Sequence, residues 1–365
     1  MSMIFNVKCN YIKEITCFLY RYFNDETMES LHENLKKKSG YTKEVQYTLE
    51  KMEIIYYEIL NKIEVPKELS MYFVAFQEEE GIISGIADAL LFKCYLTKEE
   101  KLDTLKKIVK DEFHKNNGRS FLHVLENSGF EIKDELQTSV SEEEFVRFLD
   151  TSGIKEEMKW KVYKIFHEFD KHTDILFNYI EKVYLVFKEV YKKHEKDFDG
   201  FVKYWNDAQE HNEIQEKLNK VVGLLTQEDY VEVTLRPCWM GCNSISLYGE
   251  DNWDDIVYYV GLFFTDYNFF DVKEVTNKEM CTRLKLLSDP SKYEILRLIQ
   301  KEGKYGAQLA EHLNLTTATI SHHVNALMNS GMITLEKDSN RIYYHANKNL
   351  VGLTIDQLRH DLCED

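Results

Sequence analysis

Two adjacent histidines, His322 and His323, have side chains that could bind a metal ion or transfer protons. They lie in the stretch LTTATISHHVNALMNSGMI, residues 315–333, where apolar residues recur at the spacing of an α-helix. Neighbouring residues of a helix point about 100° apart, so the two rings are poorly placed to chelate one ion. We therefore expect His323 to lie at the edge of the helix packing and His322 to face outward.

The last residues of the chain carry a second set of possible metal ligands. Asp356 and His360 are four residues apart, which places them on one face of a helix, and Cys363 and Glu364 follow directly. This combination could bind a metal ion, but acidic chain ends are also commonly frayed. We favour the frayed tail and keep these four residues as weak metal candidates.

The cysteines contain one close pair, Cys238 and Cys242, on either side of Trp239 and Gly241. This Cys-x3-Cys pair lacks a second pair of ligands, so buried structural thiols are the favoured interpretation, and a redox pair is the alternative. The seven cysteines are odd in number and scattered, which does not predict a disulfide framework. We expect reduced thiols in a cytoplasmic protein.

The sequence lacks the motifs that several classes of protein require. The sequence has no phosphate-binding loop, dinucleotide fingerprint, HExxH helix or ordered Ser/His/Asp set, so we expect neither enzymatic activity nor a cofactor. It has no run of about 18 uncharged apolar residues, and its N-terminus lacks the pattern of an export signal. A membrane partner is therefore not expected.

Charge is distributed unevenly along the chain. The formal net charge is −17, which by itself argues against nucleic-acid binding. Residues 278–348, however, contain ten Lys or Arg against seven Asp or Glu, a balance of +3, and residues 349–365 carry −3. An acidic region, residues 1–277, therefore precedes one mildly basic module.

Helical patterns dominate the acidic region. Only three prolines interrupt the chain, and Lys/Glu-rich segments with apolar spacing predict a series of helices. In one of them Thr173 is the expected N-cap, with Ile175, Tyr179 and Val183 on the buried stripe. The short MIFNVKC segment at the start could be a strand, and alternating β-branched and aromatic residues predict a small sheet at about 228–270.

The basic module has the pattern of three helices followed by a β-hairpin. Asp289 or Ser288 precedes Pro290 at the first turn of one helix, and the short helix YGAQLAEHLN follows. A turn leads to a helix with Thr316 as N-cap and with Ile320, Val324 and Leu327 as its apolar stripe. Gly331 ends that helix, and MITLEKDSNRIYYHAN predicts a hairpin wing.

Together the motifs LSDPSKYEILRLI, QLAEHLNLTTATISHHVNALMNSGMI and RIYYHAN resemble the winged-helix domain of ArsR-family transcriptional regulators over roughly residues 278–350. The resemblance implies that residues 317–322 face the major groove of DNA and that Arg341 reaches the minor groove or its phosphates. It also implies dimerisation through flanking helices at about 278–287 and 350–362. The Cys-x-Cys pair that many members carry in the helix-turn-helix is absent, so we do not expect metal sensing there.

The predicted fold is mainly α (α+β): a helical sensor or dimerisation region, residues 1–275, and a winged helix-turn-helix domain with a C-terminal dimerisation helix, residues 276–365. The predicted function is a homodimeric transcriptional regulator, either a repressor or an activator, that binds an inverted repeat in double-stranded DNA. A small molecule or peptide would act on the N-terminal region. The alternative is a winged helix used only for protein interaction or dimerisation. The predicted DNA contacts are Thr316, Thr317, Ala318, Thr319, Ser321, His322, Lys337, Asn340, Arg341 and Tyr343.

Overall fold

The N-terminal region is built mainly from helices. The computed structural model describes residues 2–36, 42–74, 85–98, 101–127, 140–151, 154, 156–222, 224–226, 232–249, 255–265, 277–338 and 341–363. The helices of the N-terminal region are α1 (Tyr11–Phe23), α2 (Met28–Lys36), α3 (Lys43–Leu60), α4 (Ser70–Phe73), α5 (Ile86–Leu96), α6 (Leu102–Lys115), α7 (Arg119–Asn127), α8 (Glu142–Thr151), α9 (Glu156–His167), α10 (Phe169–His194), α11 (Asp199–Glu210) and α12 (Ile214–Val222).

Helix α10 is the longest of these, and it packs against α1, α3, α6 and α9. Its buried side chains include Leu176, Ile180, Val183 and Phe187. The prediction for its start was wrong, because α10 begins at Phe169 and Thr173 lies inside the helix with its side chain buried. Ile175, predicted to be buried, is also exposed.

A small sheet joins the start of the chain to residues 232–261. Its described strands are β1 (Ser2–Phe5), β3 (Glu232–Cys238), β4 (Ile245–Gly249) and β5 (Asp255–Gly261), in the order β1-β3-β5-β4. Strands β1, β3 and β5 are parallel, and β4 pairs with β5 in antiparallel fashion. The predicted sheet is confirmed, and the predicted first strand is one of its members.

The C-terminal module consists of α13 (Asn277–Ser288), α14 (Pro290–Ile299), β6 (Lys304–Tyr305), α15 (Gly306–Leu313), α16 (Thr317–Asn329), β7 (Ile333–Asp338), β8 (Arg341–Ala346) and α17 (Lys348–Cys363). Helices α14, α15 and α16 enclose a separate small core that includes Ile295, Leu309 and Leu327. Strands β7 and β8 form an antiparallel hairpin, and β6 pairs with β8. The mainly α (α+β) fold and the winged helix-turn-helix are confirmed.

The module and the N-terminal region meet along one strand of the wing. Strand β2 (Leu224–Thr226) pairs in parallel with β7, with Leu224 opposite Leu335, so the described order of this sheet is β2-β7-β8-β6. The buried Leu335 belongs to the large core of the N-terminal region. The predicted domain boundary at 275/276 lies outside the described residues and stays a prediction.

Candidate nucleic-acid interface

The first helix of the small core has a well-defined start. Asp289 is the N-cap of α14: its Oδ1 accepts a hydrogen bond from the backbone N–H of Lys292 at 2.9 Å, and Pro290 occupies the first helical turn. The Asp289 Oδ2 also lies 3.2 Å from the Lys292 Nζ. Although burial opposes ionisation, these Lys292 contacts hold the pKa of Asp289 below its usual value. This cap defines the start of α14, and α15 and α16 pack against this helix.

The turn between α15 and α16 depends on a left-handed residue. Asn314 ends α15 with φ 54° and ψ 43°, a conformation that asparagine adopts more easily than most residues. The N–H of Leu315 then donates to the carbonyl of Ala310 at 3.0 Å. This compact turn sets the angle between the two helices of the helix-turn-helix.

Helix α16 begins at the predicted N-cap. The Thr316 Oγ1 accepts a hydrogen bond from the backbone N–H of Thr319 at 3.1 Å and lies 2.9 Å from the Thr319 Oγ1. Thr316 itself is exposed. The cap satisfies one of the otherwise unbonded N–H groups of the first turn, and it leaves a small polar surface at the positive end of the helix dipole.

The two faces of α16 differ in burial as the sequence predicts. Ile320, Val324 and Leu327 are fully buried in the small core. Outside this stripe Ser321 is exposed, and Thr317, Thr319 and His322 are half-buried. Ala318 is the second residue of α16.

The two histidines differ in burial. His323 is 7% exposed and His322 is half-buried, with their ring centroids 5.7 Å apart and their planes at 65°. His323 lies close enough to Asp289 to favour its ionised form. His323 is thus the more buried histidine of the pair, and the outward orientation of His322 stays a prediction.

The wing places three of the predicted DNA contacts on its two strands. In the hairpin register Asp338 is opposite Arg341, and Lys337 is opposite Ile342, so both basic residues lie at the tip end of the wing. Tyr343 is half-buried, and its ring meets that of Tyr305 edge-on with centroids 5.6 Å apart. Tyr343 therefore supports the wing on β6. The predicted contact Asn340 lies outside the described residues.

The metal candidates at the end of the chain fall on α17. Asp356 and His360 are on this helix and Cys363 is its exposed last residue, whereas Glu364 lies outside the described residues. Within the part of the chain that the structure describes, no group of three or more His, Cys, Asp or Glu side chains is arranged to hold a metal ion.

Among the residues that the structure describes, no helix is both long and apolar enough to cross a membrane.

Cys238, the last residue of β3, and Cys242, four residues further on, are both buried. Sequence spacing did not reveal the partner of Cys238, which is Cys17 of α1: the two Sγ atoms lie 3.8 Å apart. The residues are 221 positions apart in the chain, so only the packing of α1 on the sheet brings them together. No local motif could have indicated this contact.

Three helices packed on a small core, with a short turn between α15 and α16 and a two-stranded wing after them, define a winged helix-turn-helix, a class of DNA-binding domain. The family profile described as "Bacterial regulatory protein, arsR family" matches residues 289–334. The chain belongs to this family, and it is a DNA-binding transcriptional regulator.

Three relatives align with the C-terminal part of the chain. The arsenical resistance operon repressor of Staphylococcus aureus is 36% identical over 81 residues, which are 22% of this chain and 78% of that protein. The corresponding repressor of Staphylococcus xylosus is 39% identical over 70 residues, 19% of this chain and 67% of that protein. The transcriptional repressor SdpR of Bacillus subtilis (strain 168) is 35% identical over 63 residues, 17% of this chain and 70% of that protein.

Proposed function

We propose that this protein is a homodimeric repressor that binds an inverted repeat in double-stranded DNA and responds to an effector through its N-terminal region. The observation that carries the proposal is the division of α16 into two faces. Ile320, Val324 and Leu327 are fully buried, so the small polar residues around Ser321 are left on the outer surface. Such residues at a helix N-terminus let the backbone approach phosphates and base edges closely.

The wing supplies the second contact with DNA. Lys337 and Arg341 lie at the tip end of β7 and β8, and a guanidinium group suits phosphate oxygens or a narrow minor groove. The formal charge of −17 repels DNA from most of the protein. We therefore expect binding that is confined to this face and weakens steeply with salt.

Dimerisation is assigned to the helices that flank the module. Helices α13 and α17 pack together, and the Arg283 guanidinium donates to the Thr354 hydroxyl at 3.2 Å. The outer side of α17 carries Ile355 at 55% exposure and Leu362 at 75% exposure. Pairing of these surfaces between two copies would bury apolar area and would place two recognition helices about 34 Å apart, one turn of DNA.

The effector, a small molecule or a peptide, would act through the contact between the N-terminal region and the wing. That contact includes the β2–β7 pairing and Leu335 in the large core. A conformational change in the N-terminal region would therefore be transmitted to β7 through direct contacts. This route supports the N-terminal region as the part that receives the signal.

The test is an electrophoretic mobility shift with genomic DNA fragments. Arg341→Ala should weaken binding to all fragments and reduce the slope of log affinity against log salt by about one, the signature of a lost phosphate contact. The combined Thr317→Ala, Ser321→Ala and His322→Ala variant should lose the preference for one fragment over others. Arg297→Ala, which removes the same charge from an exposed site on α14, is the matched control and should bind normally.

Circular dichroism of each variant separates a loss of contacts from a loss of fold. Unchanged binding by both the wing variant and the α16 variant would refute the assignment. The winged helix would then serve protein interaction, and failure of the wild-type protein to bind heparin or DNA at low salt would support that conclusion.

A further inference from the structure

Two thiols from distant parts of the chain meet beside the small sheet. Cys17 lies in the middle of α1, and Cys238 is the last residue of β3, with 3.8 Å between their Sγ atoms. A disulfide requires about 2.05 Å between the sulfurs. Both cysteines are free, and closing this gap needs a movement smaller than the diameter of one atom. The pair is thus placed for oxidation.

The two thiols differ in their access to solvent. Cys17 is half-buried, whereas Cys238 is 2% exposed behind it. Cys17 is therefore the less buried of the two residues, and Cys238 is shielded from direct reaction. An accessible thiol backed by a shielded one is the arrangement in which the first reacts and the second resolves the product.

A buried cation stands one helical turn before Cys17. Lys13 precedes it by four residues, so the two side chains share one face of α1. The Lys13 Nζ lies 2.5 Å from the Tyr248 hydroxyl and 3.7 Å from the Asp88 Oδ1, and it sits over the ring of Tyr95 at 5.0 Å. These neighbours hold the ammonium group at a fixed position close to the thiol pair.

The surroundings favour the thiolate form of Cys17. A hydrogen bond from the Cys238 thiol lowers the pKa of Cys17, and the charge of Lys13 lowers this pKa further. Burial and the charges of Glu14 and Asp88 act in the opposite direction. The same contact raises the pKa of Cys238 well above its usual value. Of the two, Cys17 is therefore the nucleophile and Cys238 the proton donor.

We propose that Cys17 and Cys238 form a reaction site for hydroperoxides, which convert the pair into an intramolecular disulfide. The Cys17 thiolate attacks one peroxide oxygen, so an S–O bond forms, the O–O bond breaks, and the second oxygen leaves as an alcohol or as water after taking up a proton. Cys238 then attacks the sulfenic sulfur of Cys17. The S–S bond forms, the S–O bond breaks, and water leaves with the Cys238 proton.

The balance of this reaction is complete without any other reagent. Two thiols are oxidised by two electrons in total, and one peroxide is reduced to water and an alcohol, or to two waters for hydrogen peroxide. The site goes beyond the proposed DNA-binding function and does not depend on it, because neither cysteine belongs to the winged helix.

The test treats the full-length protein with hydrogen peroxide, blocks the remaining thiols with N-ethylmaleimide and analyses a tryptic digest by mass spectrometry without reduction. Trypsin releases Cys17 in EITCFLYR, residues 14–21. It leaves Cys238 and Cys242 on one long peptide, but cyanogen bromide cleaves after Met240 and separates them. We expect EITCFLYR to be cross-linked to the fragment that carries Cys238, and a thiol reductant to release it.

Three serine variants complete the experiment. Cys242→Ser is the matched control, because Cys242 is buried four residues after Cys238, and this variant should keep the cross-link. Cys17→Ser should lose it and leave Cys238 unoxidised. Cys238→Ser should lose the cross-link but trap a sulfenic acid on Cys17 that dimedone labels.

Two results would overturn the proposal. One is a disulfide formed through Cys242 in place of Cys238. The other is a Cys17 that reacts with peroxide no faster than the exposed Cys281 in the same sample. Because both results are measured on peptides, they remain clear even if a variant binds no DNA.

Discussion

Replacing Glu14 by Gln should remove a pH dependence that is built into the core of the N-terminal region. The Glu14 carboxylate is 1% exposed and accepts hydrogen bonds from the backbone N–H groups of Trp239 and Met240, both at 2.8 Å, and from the Tyr191 hydroxyl at 2.7 Å. Burial outweighs these bonds and raises the pKa of Glu14 from 4.5 to about 7.

The sign and size of the effect follow from proton linkage. Between pH 4.5 and about 7 the folded protein keeps the Glu14 proton and the unfolded chain releases it. The free energy of unfolding therefore decreases as pH rises through this interval and levels off above it. The interval between the two pKa values corresponds to about 3 kcal/mol. Most of this stabilisation is present below pH 4.5 and lost by pH 8.

The assay is urea unfolding at several pH values, followed by tryptophan fluorescence. Trp239 is a local reporter, because its ring stacks on Tyr191 with centroids 4.4 Å apart and its backbone N–H donates to the Glu14 carboxylate. The difference in the free energy of unfolding between the wild type and Glu14→Gln should decrease by about 3 kcal/mol from pH 4.5 to pH 8. This holds even though the variant is less stable overall. Amide exchange at Met240 gives a second, independent measurement.

Glu144→Gln is the control for titration at the surface. The Ser141 hydroxyl and N–H bond to Glu144 and lower its pKa, so its small effect on stability has the opposite sign, being lost as pH falls. A wild-type minus Glu14→Gln difference that stays constant from pH 4.5 to 8 would show that the carboxyl is ionised throughout. The reasoning from burial would then be wrong.

Three further predictions concern the C-terminal module, each measured by amide exchange of α16 in the full-length protein. Thr316→Ala removes the bond to the Thr319 N–H and should destabilise the helix by about 1 kcal/mol, whereas Thr316→Ser should not. Leu327→Ala leaves a cavity in a fully buried site and should cost about 2–5 kcal/mol, enough to unfold the module; protection equal to wild type would contradict its place in the core. Gly331→Ala should cost about 1 kcal/mol or more, since Gly331 has φ +75° and an added Cβ would lie 2.9 Å from Leu350; an unchanged exchange rate would mean that the turn rearranges freely.

The C-terminal module could be predicted almost entirely from the sequence because its signals are local. Asp289 with Pro290, Thr316 and Gly331 each mark the start or end of a helix within a few residues of the apolar stripe that they delimit. Helix caps and turns of this kind depend on neighbouring residues rather than on distant packing. The buried stripe of α16 could be predicted from the spacing of its apolar residues.

The N-terminal region was predictable in kind but not in detail. Apolar and aromatic residues lie on more than one side of α10, so the apolar pattern alone did not distinguish the exposed Ile175 from the buried Leu176 and Phe177. Thr173 was a plausible cap, but it lies inside a helix that extends to Phe169. The contact between Cys17 and Cys238 was out of reach, because it depends on how α1 packs on a sheet assembled from distant segments.

Strand β7 is where the N-terminal region can control the proposed DNA-binding surface. Residues two apart on a strand share a face, and on β7 Ile333 enters the small core while Leu335 enters the large one. The N-terminal region also touches α16, where Met328 packs against the large core near the end of the helix. These two contacts join α16 and the wing to the N-terminal region. In the proposed dimer, a shift of the N-terminal region would therefore change the separation of the two recognition helices, and with it the fit to an inverted repeat.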